Sequence, residues 1–241
     1  MDIVYSKNLT KIYGSDKNTF KALDDVNVEF AKGKFHAIMG PSGSGKSTLM
    51  HCLAGLDKAT SGNVFLLDTN MSELSQKERT LLRRKRVGFI FQAFNLIPTL
   101  SAEENILLPL RLSGTKPDHK WYDSVIESVG LGDKLKNRPS ELSGGQQQRV
   151  AIARAVVAMP DVVFADEPTG NLDSNSGKLV LDLLTHIVKE YGQTVVMVTH
   201  DVNAASATDR AVFLEDGQVS KIVDEPTTKE LINELVTIEK D

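Results

Sequence analysis

Residues 40–48 read GPSGSGKST: three glycines punctuate a loop that ends on a lysine followed by two hydroxyl side chains. The spacing is G-x-x-x-x-G-K-[ST]. It follows the apolar run FHAIM (35–39) and opens a helical pattern, KSTLMHCLAGL, with apolar residues at Leu49, Met50, Leu53, Ala54 and Leu56. Strand, glycine-rich loop and helix in that order are the context in which such a loop binds phosphate. Gly40, Gly43 and Gly45 free the backbone to wrap an anion, with successive N–H groups turned inward and the partial positive charge of a helix start behind them. Pro41, Ser42, Ser44 and Thr48 complete the loop around Lys46, which can reach the β- and γ-phosphates, and Ser47, whose hydroxyl can ligate Mg²⁺.

A magnesium-bound nucleotide also needs a carboxylate at a strand end, and VVFADEP (162–168) places Asp166 directly after an apolar run. Glu167, on the other side of the chain, is placed to orient or deprotonate a water attacking the γ-phosphate. An isolated Asp-Glu pair would read as an ordinary strand-to-turn junction. Beside the loop at 40–48 it reads as part of the same site.

These groups have to be held by a sheet. IVYSKNL and ALDDVNVEF alternate as strands on either side of a polar turn, GSDKNT. VGFIFQ (87–92), VVFAD (162–166), TVVMVT (194–199) and RAVFLED (210–216) are apolar almost throughout, which predicts a largely parallel sheet covered on both faces. SGKLVLDLLTHIVKEY is helical, with Leu179, Val180, Leu183, Leu184, Ile187 and Val188 on one stripe. Over roughly 95–158 strands give way to helical patterns, SAEENILLPLRL, DSVIESVGL and QQQRVAIARAVVA, so this stretch reads as an inserted helical subdomain. PTTKELINELVTIEKD predicts a C-terminal helix with a frayed charged end.

Composition sets the outer bounds. The 241 residues carry a formal net charge of −4, which argues against a surface that wraps nucleic acid. One basic run, RTLLRRKR (79–86), reads as a solvated helix face or as a contact with a partner or membrane surface. The single cysteine, Cys52, lies among apolar residues and reads as a buried small hydrophobe. The N-terminus has no leader-like pattern and no run approaches the length of a membrane span, so the expected compartment is the cytosol.

ELSGGQQQRVAIARA (141–155) offers no nucleophile or ligand set of its own. Together with the phosphate loop and the Asp-Glu strand end it resembles the nucleotide-binding subunits of ATP-binding cassette (ABC) transporters, over nearly the whole chain. LSGGQ (142–146) matches the family signature, Gln92 its Q-loop, NLDS (171–174) its D-loop and His200 its switch histidine, while Tyr13 sits where the family places an aromatic ring against adenine. Taken alone, Gln92 would read as a surface polar residue, His200 as a neighbour of a helix cap and Tyr13 as a packing residue. Their joint occurrence carries the functional reading.

The resemblance implies an α/β fold: a P-loop NTPase core with a mostly parallel sheet (about 1–92 and 159–225), an N-terminal antiparallel β subdomain, a helical subdomain (about 93–158) and a C-terminal helix (about 226–241). It implies two cassettes that associate head to tail around ATP and Mg²⁺, each nucleotide resting on one chain's 40–48 loop and covered by Ser143, Gly144, Gly145 and Gln146 of the other. Glu167 would be the base, His200 would contact the γ-phosphate and position water, and Ser47, Asp166 and Gln92 would serve the metal. A separate transmembrane permease, with an extracytoplasmic domain, would hold the chain at the cytoplasmic face of the membrane. The wording of GPSGSGKSTLMHCLAGLDKATSG, FIFQAFNLIPTLSAEENILLPL and DEPTGNLDSNSG is similar to the branch of macrolide exporters, lipoprotein-releasing systems, antimicrobial-peptide resistance transporters and the cell-division cassette. That last case, a regulatory complex that transports nothing, is the alternative. A nucleotide kinase has no use for LSGGQ, a chromosome-maintenance ATPase splits its halves with a long coiled coil, and a translation factor carries two cassettes.

Overall fold

The computed structural model describes residues 1–14 and 18–238, so part of the GSDKNT turn and the charged end expected to fray lie outside the described residues. In chain order the elements are β1 (Asp2–Tyr13), β2 (Phe20–Ala31), β3 (Phe35–Met39), α1 (Lys46–Leu53), β4 (Ser61–Leu66), β5 (Thr69–Asn70), α2 (Gln76–Arg86) and β6 (Val87–Ile90). Three helices without an intervening strand follow: α3 (Ala102–Ser113), α4 (His119–Val129) and α5 (Gly144–Val156). The chain then runs through β7 (Val162–Asp166), α6 (Ser174–Tyr191), β8 (Thr194–Val198), α7 (Val202–Ser206), β9 (Arg210–Glu215), β10 (Gln218–Asp224) and α8 (Thr228–Ile238).

Two sheets result. β2-β1-β4-β5 is antiparallel throughout, and β10-β9-β3-β8-β7-β6 is parallel except for its edge strand β10. β3 and β8 are buried at every position, because helices or the other sheet cover both faces. The Asp24 amide donates to the Gly217 carbonyl at 2.8 Å and joins the sheets along one seam.

α1 is enclosed between the sheets: Leu49, Met50 and Leu53 pack with Phe30, Phe164 and Val196. On the other face of the parallel sheet, Phe35, Val163 and Met197 share a core with Ile106, Ile152 and Leu184 of the surrounding helices. Burying side chains of this size stabilises the fold by about 1.5–3 kcal/mol each. The phosphate loop is therefore mounted at both ends on a packed framework.

Several expectations are corrected. Leu179 is 60% exposed: at about 100° per residue it falls off the flank of the stripe centred on Val180, Leu184 and Ile187. β6 ends at Ile90, which leaves Phe91 and Gln92 beyond the strand. β4, β5 and β10 had no clear periodic signal; β10 is an edge strand with mostly exposed residues. The basic run forms the last turns of α2, which has no buried residue, yet its side chains are engaged. Arg83 donates to the Gly55 carbonyl, Arg84 to Leu112 at 3.2 Å, and Arg86 pairs with Asp161 at 2.9 Å.

Candidate active site

Three adjacent strands end in one row. Val198 of β8 lies opposite Ile38 of β3 on one side and Asp166 of β7 on the other. The loops leaving these strands, at 40–45, 167–173 and 199–201, converge at the carboxyl ends of the parallel sheet, where open α/β sheets bind ligands.

The first loop has a cradle's backbone. Gly45 (φ 101°) caps α1, and a Cβ there would run into the Ala22 carbonyl. Gly43 (φ 84°) faces open space, with nothing within 4 Å of the Cβ position. One glycine is needed for packing and the other for the shape of the mouth. Lys46 folds over the loop, its ammonium donating to the carbonyls of Gly40 at 2.9 Å and Pro41 at 2.7 Å. Burial lowers its pKa, against the opposing pull of Glu167 and Asp166. The lysine thus spans the loop with its charge toward the acidic strand end.

Asp166 answers it from β7. Burial raises its carboxyl pKa above the ordinary value, while the nearby His51 and the Ser47 hydroxyl act in the opposite direction. Its Oδ1 is buried without a hydrogen-bond partner. A hydroxyl, a carboxylate and an unmatched buried oxygen suit a hard cation that arrives with phosphate oxygens and water. Among the described residues no group of three or more His, Cys, Asp and Glu could hold a metal ion.

Glu167 follows with φ 46°, a left-handed backbone rare for a non-glycine residue. Its amide donates to the Val198 carbonyl at 3.0 Å, and its own carbonyl accepts from Gly170 at 3.0 Å. This turn brings the carboxylate to His200, whose Nδ1 lies 2.8 Å away. Gln92 sits against the same loop: Asn171 donates to its carbonyl at 2.9 Å, and a Cβ on Gly170 would stand 3.0 Å from its amide nitrogen. Lys46, Ser47, Asp166, Glu167, His200 and Gln92 are therefore brought to one end of the sheet.

Tyr13 lies at the margin of this site. Its hydroxyl donates to Asp57 at 2.6 Å, and Lys11 stands 4.6 Å from its ring centroid. Burial, with Asp57 beside it, pushes the phenol pKa up to about 12. The ring is held as a fixed, neutral surface next to the phosphate-loop helix.

LSGGQ is elsewhere. Ser143 caps α5, its Oγ accepting from the Gln146 amide at 3.3 Å while the Gln146 side chain accepts from the Ser143 amide at 2.8 Å. This reciprocal capping box gives Gln146 a structural task that S-x-x-Q spacing could have revealed. Gly145 packs against Ser176 and Gly144 against Leu172, so the signature turn lies along the 171–176 segment. None of the hydrogen bonds of residues 142–146 reaches the 40–48 loop.

Two α5 residues went unread in the sequence. Gln148, a polar residue on the buried face of the helix, donates to the Pro168 carbonyl at 2.6 Å. Arg154 donates to the carbonyls of Phe94 at 2.7 Å and Asn95 at 2.6 Å. Away from the cradle, a groove of about 320 Å³ opens between α1, α2, β6 and α3, lined by Leu56, Val87, Phe89, Leu108 and Leu112 with Arg84 at its edge.

A phosphate loop, a strand-end acid pair, a histidine on the second acid and a separately capped LSGGQ helix define an ATP-hydrolysing cassette. The ABC transporter family profile matches residues 23–170, more than half of the chain, and the chain belongs to that family. It is 41% identical to the ATP-binding cassette MJ0796 of Methanocaldococcus jannaschii, solved as a dimer in a post-hydrolysis state with ADP and Pi; the TM-score is 0.83, over 93% of this chain and 99% of that one. The lipoprotein-releasing system ATP-binding protein LolD of Legionella pneumophila is 43% identical over 90% of this chain and 96% of its own. The macrolide export ATP-binding/permease protein MacB of Mannheimia succiniciproducens is 43% identical over 91% of this chain and 34% of its own length.

Proposed function

We propose that this chain is the ATP-hydrolysing subunit of a membrane transport or release complex and that it works as a pair of copies. The observation that carries the pairing is the separation of the two halves of the site: LSGGQ makes no hydrogen bond to the loop at 40–48, while Ser143 stands exposed at a helix start. A helix N-terminus presents N–H groups to an anion. Ser143, Gly144 and Gly145 then cover the γ-phosphate on a second copy, with Gln146 fixing the turn through its capping box. The dimeric MJ0796 cassette supports this arrangement.

Within one copy, residues 40–48 hold the phosphates, Lys46 turns from its loop carbonyls to the β- and γ-phosphates, and Tyr13 offers its ring to adenine. Ser47 and Asp166, with Gln92 nearby, would hold Mg²⁺, which would supply charge neutralisation for the phosphates. Glu167 takes a proton from the attacking water. His200 leaves the Glu167 carboxylate, contacts the γ-phosphate and orients that water. Gln92, on the loop that leads to α3, links the site to the helical subdomain (about 93–158), which sits between core segments at about 1–92 and 159–225.

The apolar groove between α2, β6 and α3 is suited to a helix from a permease. Among the described residues no helix is long and apolar enough to cross a membrane, so the permease would supply the span and hold this chain peripherally at the cytoplasmic face. The names of MacB and LolD support export or release as the process served.

Glu167→Gln tests the reading. The variant should bind ATP as the wild type does, release little phosphate and accumulate as an ATP-bound dimer in light scattering. Phosphate release at the wild-type rate would remove Glu167 as base, and a monomer at saturating ATP would remove the shared site.

A further inference from the structure

α5 begins at the signature turn, and Gln148 lies one turn further along it. We propose that Gln148 is a positioning residue for hydrolysis: its amide fixes the Pro168 carbonyl and, through it, the Glu167 carboxylate, so that the helix covering one nucleotide holds the base acting on the other. This rests on the reading of Glu167 as base and of LSGGQ as serving a second copy.

Gln148 is fully buried and its Nε2 donates to the Pro168 carbonyl at 2.6 Å. Its neighbours on the helix, Val150, Ala151 and Ile152, are core residues, a setting in which an apolar side chain would pack without difficulty. Moreover, the Gln148 Oε1 is buried with no partner. A buried amide with half its capacity unmet is unfavourable for stability, so its place in the core calls for another explanation. The bond to Pro168 supplies one.

Glu167 occupies a left-handed turn that the chain does not favour by itself. Upstream, its amide is tied to Val198 of β8. Downstream comes Pro168, which has no N–H and can be anchored only through its carbonyl. Gln148 supplies that anchor. Without it, the Pro168–Thr169 peptide can turn, the loop after Glu167 is held by the Gly170 bond to the Glu167 carbonyl, and the carboxylate shifts off the line of attack on the γ-phosphate.

The test uses the purified full-length chain with Mg-ATP. Q148M keeps length and an unbranched shape but cannot donate, and Q148L provides a second apolar variant if methionine is not accommodated; a cooperative thermal melt establishes folding. The expected result is a kcat lower by about tenfold to a hundredfold with KM within about twofold of wild type. In the E167Q background Q148M should lower the residual rate no further, because the group it positions is already gone. A folded Q148M chain with wild-type kcat would overturn the proposal, as would losses that multiply in the double variant. An E167Q chain that retains full turnover would instead remove the base itself, and the proposal would fall with it by a different, visible route.

Discussion

The His200 imidazole and the Glu167 carboxylate are bonded to each other, with Nδ1 2.8 Å from the carboxylate. The two groups proposed to act on water and γ-phosphate thus occupy each other's hydrogen-bonding positions, and in that mechanism entry of a nucleotide would separate them. His200→Ala should leave ATP binding within about twofold of wild type and lower phosphate release by about a hundredfold, the scale of a lost acid–base or orienting contact. Wild-type release would take His200 out of the site.

Lys46→Ala acts on binding instead. The Lys46 ammonium rests on the Gly40 and Pro41 carbonyls of the loop itself. Losing a charged hydrogen bond to phosphate weakens affinity by about tenfold to a hundredfold, readable in an equilibrium titration with ATP. Unchanged affinity would contradict the cradle.

Asp166 has a pKa raised by burial, so its protonated form is the one the fold favours. The contribution to stability is complete below the unfolded carboxylate value, and it is lost as pH rises through the folded value. At neutral pH the ionised group is a burden that a bound cation would relieve. Asp166→Asn should therefore melt about 2–4 °C above wild type at neutral pH without nucleotide, converge with it in acid and fail to hydrolyse Mg-ATP. A lower neutral melting temperature would show that the carboxylate stabilises the fold even without a cation.

Ser143 combines two tasks that two substitutions separate. Ser143→Thr keeps a hydroxyl cap, whereas Ser143→Arg removes the cap, worth about 1 kcal/mol, and places a long cation where a phosphate should approach. Light scattering with ATP should show dimers for the threonine variant and monomers for the arginine variant, with ATP binding retained by both. Hydrolysis that survives Ser143→Arg would mean that LSGGQ does not cover a nucleotide.

The parts legible in the sequence are those whose chemistry is written in consecutive residues. GPSGSGKST and VVFADEP declare loop and strand end by local spacing, and the framework behind them by apolar runs. Gln148 and Arg154 were hidden because their partners lie 20 and about 60 residues away, so nothing local marks the contact. Gln148 still left a trace, a polar residue at a buried position of an apolar stripe. β10 left little, since an exposed edge strand lacks the alternation that burial imposes. Leu179 misled because a helix's apolar stripe has no sharp border in sequence.

Phe94 and Asn95 are consecutive left-handed residues, with φ 60° and 49°, on the segment between β6 and α3. Such a conformation is disfavoured by roughly 1–2 kcal/mol per residue, and here Arg154 grips both carbonyls. The connection between sheet and helical layer is thus a sprung corner, held within itself by the Phe94 and Asn95 amides and from α5 by Arg154. One guanidinium from the helical layer fixes two strained residues at once, so the corner and α5 are tied as a unit.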